Sequence, residues 1–308
     1  MAREKKLREC KVVIIGSGPA GLSAAIYTAR AGLAPVVISG PAFGGQASLT
    51  ADIANYPGFV DAVSGGELMD KFKEQAEKFG AELVYDEVSS VDFAEKPFTV
   101  ETSRRIFKCE RVIIAAGSEH LLMNIPGEKE FTGAGVSYCA TCDGAFFRGK
   151  KVAVVGGGNS AVEEADFLTR FADSVTIIHR RDTLRAEKVV QEKAFANPKI
   201  DFLWNTVPLE VIGENGKVTG LKVKNKLTEE ESVVPFDGVF VFVGTRTVTD
   251  IFAGKVEIEN DVIKVGPDMQ TSVPGVYAAG ESVDKLYRQV VVSAASGAQA
   301  GISVSKSF

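Results

Sequence analysis

Apolar and polar positions along this chain follow a succession that occurs twice. Residues 12–15, "VVII", are a short β-rich apolar run, followed by "GSGPAG" with Gly16, Gly18 and Gly21. "LSAAIYTARAG" (22–32) then reads as a helix and "APVVISG" (34–40) as a second strand. The succession returns in "KKVAVVGGGNSAVEEADFLTRFADSVTIIHRR" (150–181): strand 152–155, Gly156 and Gly158, Ala161 at the third site, helix 160–171, strand 174–178. The spacing is shared, since Gly16 to Ser39 and Gly156 to His179 are both 23 positions. "GVFVFVG" (238–244) reads as a further buried strand, and "TSVPGVYAAGE" (271–281) as a strand and turn. Strands alternating with helices in this way predict parallel-sheet α/β units.

Strand, tight glycine turn and helix together make the Rossmann dinucleotide fingerprint, in which alanine is accepted at the third site. Glycines let the backbone approach a pyrophosphate, and the helix N-terminus offers unsatisfied N–H groups and partial positive charge. Two matches in register predict two bound dinucleotides. The ribose-binding acid expected about 20 residues past the glycines is missing from both copies. In the second copy "HRRDTLRA" stands there, and Arg180, Arg181 and Arg185 form a cationic cluster suited to a 2′-phosphate, hence NADPH. The first copy ends in the uncharged "ISGPAFGGQ", for which FAD is the natural complement.

Composition narrows the class. A length of 308 residues, with 45% apolar and 24% charged positions, fits about two soluble globular domains. A net charge of −5, from 35 basic and 40 acidic residues, argues against a nucleic-acid or anionic-membrane partner. The opening "MAREKKLREC" lacks the apolar core and cleavage site of a secretory signal. No apolar run approaches the ~20 residues of a membrane span, so a cytoplasmic location is expected.

"YCATCDGAFF" (138–147) holds two of the four cysteines, Cys139 and Cys142, with Asp143 directly after. In a reducing compartment such a pair points to catalysis or metal binding rather than a staple. Zinc needs about four ligands, and Cys10, Cys109, His120 and His179 are scattered without paired spacing, so no metal is expected. Cys10 and Cys109 read as small buried residues at strand edges. What remains for the pair is a redox disulfide cycling with a flavin, because NADPH delivers hydride whereas disulfide exchange needs thiolate attack. Asp143 suits a proton shuttle to the departing thiolate or a helix N-cap before "GAFF".

Taken in order, "GSGPAG", "GGQ" (44–46), "NYPGF" (55–59), "CATCDG", "GGGNSAVEEA" (156–165), "HRRDTLRAEK" (179–188), "TSVPGVYAAG" (271–280) and "YRQVVVSAASG" (287–297) resemble the low-molecular-weight thioredoxin reductases over nearly the whole chain. The resemblance implies an NADPH-dependent FAD enzyme that reduces thioredoxin, working as a homodimer. It implies FAD along Gly16, Gly18, Pro19, Ala20, Gly21, Gly45, Gln46 and Asn55, closed over by Gly280, Glu281, Arg288, Gln289 and Val290. It implies NADPH on Gly158, Asn159, Ser160, Glu164, His179, Arg180, Arg181 and Arg185. By the same likeness Cys142 faces the flavin, Cys139 attacks the partner's disulfide and Asp143 is the acid. Three places depart from the family pattern: Glu281 replaces the usual Asp, "VGTRTVTD" (243–250) lacks Pro-Asn after its glycine, and Ala116 stands where threonine is frequent.

The expected layout is an FAD domain in two segments, 1–118 and 247–308, with an NADPH domain carrying the cysteines, 119–246, inserted between them. Cysteine pair and NADPH site then share a domain while both must reach one flavin, so the insert is expected to swivel about connections near 118–121 and 245–250. The rivals are a reductase of another small dithiol protein and a flavin-dependent dithiol oxidase, the latter tending to lack the arginine cluster. A ferredoxin-fed reductase fails on the same cluster, and a non-catalytic nucleotide scaffold leaves the cysteines idle.

Overall fold

A computed structural model describes residues 5–40, 42–50 and 53–308. The chain forms two compact units, Met1–Glu119 with Arg246–Phe308, and His120–Thr245. The second is thus inserted into the first.

In the first unit the strand Lys6–Ile15 is central, and its last four residues are buried. Such an unbroken apolar run suits a parallel strand covered on both faces. It pairs in parallel with Val36–Ile38 on one side and Arg105–Ile114 on the other. Glu82–Val84 extends the parallel part, and Val276–Ala278 adds to Arg105–Ile114. Phe98–Thr102 and Val88–Asp92 continue the sheet antiparallel. One apolar cluster, including Phe98, Phe107 and Phe252, fills one face. On the other face the helices Pro19–Arg30 and Val290–Lys306 pack with Ile14, Ile113 and Tyr277. These helices touch so closely that a Cβ on Gly297 would lie 2.0 Å from the Ala20 carbonyl oxygen.

The second unit holds a five-stranded parallel sheet in the order Ile200–Leu203, Ser174–Ile178, Lys151–Gly156, Gly238–Phe242, Val136–Ser137. An antiparallel sheet of Thr206–Glu214, Lys217–Asn225 and Glu231–Pro235 accompanies it. The helix expected at 160–171 spans Asn159–Leu168. Beyond it the Arg170 and Phe171 amides reach back only three residues, to Phe167 and Leu168, so the last turn tightens and the helix stops. The two stretches that join the units, Ser118–His120 and Thr245–Thr247, pair as a two-stranded sheet.

Candidate functional site

Two glycine turns, each at the C-terminal end of a central strand, supply the backbone of the site. In the first unit Gly16 has φ +108°, and a Cβ there would lie 2.1 Å from the Ala115 oxygen. A Cβ on Gly21 would lie 1.9 Å from the Gly16 oxygen. Only glycine lets strand and helix approach this closely. Gly18 has no such crowding and precedes Pro19 at the helix start without any side-chain cap. The amides of the first turn therefore remain open to an anion.

Other predicted residues gather around this turn. Ser17, 1% exposed, donates to the Ser39 carbonyl at 2.9 Å and accepts from the Gly44 amide at 3.1 Å. That brings Gly45 against Gly18, 3.5 Å from its Cα by the same Cβ measure. Gln46 donates to the Ser118 carbonyl at 3.3 Å, and the Ser118 hydroxyl donates to Glu281. Gly280 packs on Ala20, and its amide donates to the Ser296 hydroxyl at 2.9 Å. Val290 joins the apolar cluster of Leu22 and Ala47. Asn55 donates to Gln289 at 3.0 Å, and the exposed Arg288 precedes that residue. Loops far apart in sequence thus meet at one helix N-terminus, in a backbone cradle that fits a dinucleotide.

Fixed by different contacts, the second turn offers the same opening. A Cβ on Gly157 would lie 2.3 Å from His179 Nδ1, while one on Gly158 would meet nothing within 4 Å. Gly158 precedes the helix without a side-chain cap, and Ser160 is exposed in its first turn. The Arg185 amide donates to the Gly157 carbonyl at 2.7 Å, and the Asn205 amide donates to the Arg181 carbonyl at 3.0 Å. Asn159 accepts from the Glu187 amide at 2.7 Å and donates to its carboxylate at 3.2 Å. The loop bearing the arginines is therefore tied to the turn by its backbone. The side chains of Arg180, Arg181 and Arg185 are exposed, and among the described residues none pairs with a carboxylate.

His179 and Glu164 differ from the arginines in being buried, at 4% and 7% exposure. His179 stacks its ring under Gly157. Burial and the charges of Arg185, Arg181 and Arg180 lower its pKa against a hydrogen bond to the Thr183 backbone that raises it. At neutral pH it is an uncharged buttress, and the cationic work falls to the arginines.

The cysteine pair lies past the end of Val136–Ser137, so it leaves the same edge of the sheet as the second glycine turn. Cys139 and Cys142 are joined, with Cα atoms 5.4 Å apart. Cys139 caps the short helix Ala140–Asp143, its sulfur accepting the Cys142 amide at 3.1 Å. Cys142 is exposed and Cys139 half-buried. Asp143 occupies the cap position of the turn Gly144–Phe147, yet its side chain makes no capping hydrogen bond.

The remaining cysteines are of another kind. Cys10 and Cys109 lie opposite each other on neighbouring central strands. Burial pushes the Cys10 thiol up to about 11 and the Cys109 thiol higher still, so neither is a thiolate at neutral pH. Among the described residues no group of three or more His, Cys, Asp or Glu is arranged to hold a metal, and no helix is long and apolar enough to cross a membrane.

Comparison with known proteins agrees with this geometry. The family model described as pyridine nucleotide-disulphide oxidoreductase matches residues 10–297. The chain belongs to this family. Within it, a thioredoxin reductase from Rickettsia bellii is 50% identical over 301 residues, covering 96% of this chain and 97% of that protein. One from Streptomyces coelicolor is 47% identical over 295 residues, covering 94% and 91%. The crystal structure of Lactococcus lactis thioredoxin reductase superposes with a TM-score of 0.92 at 41% identity, covering 96% of this chain and 98% of that one. Family members of this kind are flavoprotein disulfide reductases that use FAD and NADPH.

Ser17 and Ser118 brace the first turn and its neighbours, although in the sequence Ser17 was not singled out and Ser118 was marked only as the start of a connection. Ser17 stands inside the glycine motif and could have been found there. Ser118 is recognisable only through a partner 163 positions away.

Proposed function

We propose that the protein is an NADPH-dependent thioredoxin reductase, passing electrons through FAD and the Cys139–Cys142 disulfide to oxidised thioredoxin. The observation that carries this reading is an accessible disulfide on the same unit as an open glycine turn flanked by exposed arginines. When bound, NADPH supplies a hydride and FAD the ring that turns it into the electron pair a disulfide accepts.

The chain's own residues do the rest. Gly16, Gly18, Pro19, Ala20 and Gly21 bind the FAD pyrophosphate at a helix start, with Gly45, Gln46, Asn55, Gly280, Glu281, Arg288, Gln289 and Val290 around it. Gly158, Asn159, Ser160 and Glu164 place the pyridine nucleotide, His179 supports the turn, and Arg180, Arg181 and Arg185 hold the 2′-phosphate. Once the pair is reduced, the Cys142 amide beside Cys139 Sγ favours its thiolate. Cys139 attacks the partner's disulfide, forming a mixed disulfide and expelling one partner thiolate. Cys142 then attacks Cys139 sulfur, which restores the pair and releases the partner as a dithiol. Asp143, its carboxylate not engaged in capping, hands the proton to the leaving sulfur.

Because the cysteines and the NADPH turn share one unit, we also infer that this unit turns about 118–121 and 245–250 between the two half-reactions. A crosslink holding one pose should spare one half-reaction and stop steady turnover; undiminished turnover refutes the motion. The same reading takes the protein as a cytoplasmic homodimer, which sedimentation and cell fractionation would check. The direct assay supplies NADPH and oxidised thioredoxin. One NADPH should disappear for each two partner thiols formed, and Cys142→Ser should abolish thiol formation. NADPH-independent peroxide production from small dithiols would overturn the reading in favour of an oxidase.

A further inference from the structure

Glu128 is a carboxylate only 1% exposed, and its two oxygens accept three donors: the Met123 amide at 2.8 Å, the Asn124 amide at 2.6 Å and the Tyr138 hydroxyl at 2.9 Å. Tyr138 is the residue before Cys139. Its ring stacks on His120, with centroids 6.3 Å apart and planes at 27°. The base of this clamp is rigid. The Val211 amide donates to the Pro126 carbonyl at 2.9 Å, and a Cβ on Gly127 would lie 2.2 Å from the Val211 oxygen. Glu128 is therefore rooted against the strand Thr206–Glu214. On the far side of Tyr138, Ser137 accepts from the Cys139 amide at 3.1 Å.

We propose that Glu128 and Tyr138 are positioning residues for the redox pair, fixing the backbone at Cys139 through one hydrogen bond between phenol and buried carboxylate. Cys139 must hold an extended conformation, φ −143° and ψ 102°, for its sulfur to cap the helix and meet Cys142. With Tyr138 pinned on its ring face and its hydroxyl, Cys139 has little freedom to leave that conformation. The device raises the effective concentration of one sulfur at the other and so favours the disulfide form. The bond is fully made only while Cys139 holds the disulfide conformation, so its removal shifts the disulfide–dithiol equilibrium by about tenfold, the low end for a hydrogen bond to a charged group. Tyr138→Phe, which keeps the ring and drops only the hydroxyl, should therefore move the pair about tenfold toward the dithiol.

This inference rests on the redox reading of the pair, but its test does not need turnover. Holoenzyme is equilibrated anaerobically with dithiothreitol buffers of known ratio. The protein disulfide gains two electrons and two protons, and the reagent dithiol loses them to become a cyclic disulfide. The reduced fraction is then counted by alkylation and mass spectrometry. For Tyr138→Phe the expected shift is about tenfold, which is about 30 mV less negative for a two-electron couple; Glu128→Gln, which keeps an acceptor oxygen and drops only the charge, should shift the equilibrium in the same direction by less. The double variant should shift no further than Tyr138→Phe alone, because once the hydroxyl is gone the charge at position 128 has no phenol bond left to strengthen. A Tyr138→Phe equilibrium within twofold of the parent overturns the proposal, even if the variant melts earlier, and so does a double shift equal to the sum of the singles. Should Glu128→Gln fail to fold, Tyr138→Phe decides alone. A pair that stays oxidised in every buffer of the unaltered protein would instead sink the redox reading itself.

Discussion

Removing one guanidinium should separate NADPH from NADH. Arg180, Arg181 and Arg185 are exposed at the end of the strand Ser174–Ile178, and their loop is bonded to the second glycine turn through the Arg185 amide at 2.7 Å. In Arg180→Ala the backbone stays, because those loop contacts involve other residues' main chain. What is lost is a charge-assisted contact to the 2′-phosphate, worth about 1.5–3 kcal/mol when well formed. Solvent screening at an exposed site brings this to about 1–2 kcal/mol, or roughly 5- to 30-fold in affinity. NADH carries no phosphate there and should be weakened less than about twofold. Trp204 is the sole tryptophan, and its ring centroid is 6.5 Å from that of His179 under the turn, so its emission reports occupancy independently of turnover. Titrating both nucleotides against this signal, at low and high salt, gives the two constants. Raising the salt should weaken NADPH in the parent and much less in Arg180→Ala. Equal losses for NADPH and NADH would refute phosphate recognition by the cluster.

Further outcomes are equally direct. Gly158→Ala should fold normally, since its Cβ meets nothing within 4 Å, yet raise the KM for NADPH by about tenfold by blocking pyrophosphate approach. Gly21→Ala would put a Cβ 1.9 Å from a backbone oxygen, so thermal melts should show a loss of more than about 2 kcal/mol and purification should yield little flavin. Glu281→Asp, which shortens the reach to Ser118, should retain FAD but cost about 1 kcal/mol of stability; Ser118→Ala should cost a similar amount, and the two should not add. The Cys10 thiol, pushed up to about 11 by burial, ionises earlier in the unfolded chain, near 8.5. Its stabilising contribution is thus complete below that value and disappears as pH rises toward 11, so the melting temperature should fall over this window and fall less in Cys10→Ala.

What the sequence revealed was local, and what it hid was long-range. Both glycine turns could be read because each lies within a few residues of its own strand and helix, and steric need leaves glycine few substitutes. The cysteine pair was legible for the same reason. The role of His179 was harder to read. The resemblance implied it only as one of the NADPH residues, but its ring is turned inward under Gly157, where burial lowers its pKa. Asp143 illustrates a distinction that spacing cannot make, between occupying a cap position and making the capping bond. Cys10 and Cys109 were expected as small buried residues at strand edges, but each lies mid-strand, in Lys6–Ile15 and Arg105–Ile114, and only Cys109 is fully buried. Glu128 and Ser118 carried no motif at all. Their importance comes from partners brought by the fold, as with Tyr138 across a loop or Glu281 from the far end of the chain.

The central claim is that one electron pair travels from NADPH through bound FAD to Cys139–Cys142 and then to thioredoxin. Anaerobic titration of the holoenzyme with NADPH, followed at the flavin absorption band, tests it most directly. The band should bleach on NADPH addition and recover when oxidised thioredoxin is added, and Cys142→Ser should bleach without recovering. A band that ignores NADPH, or one that recovers equally well in Cys142→Ser, would contradict the account.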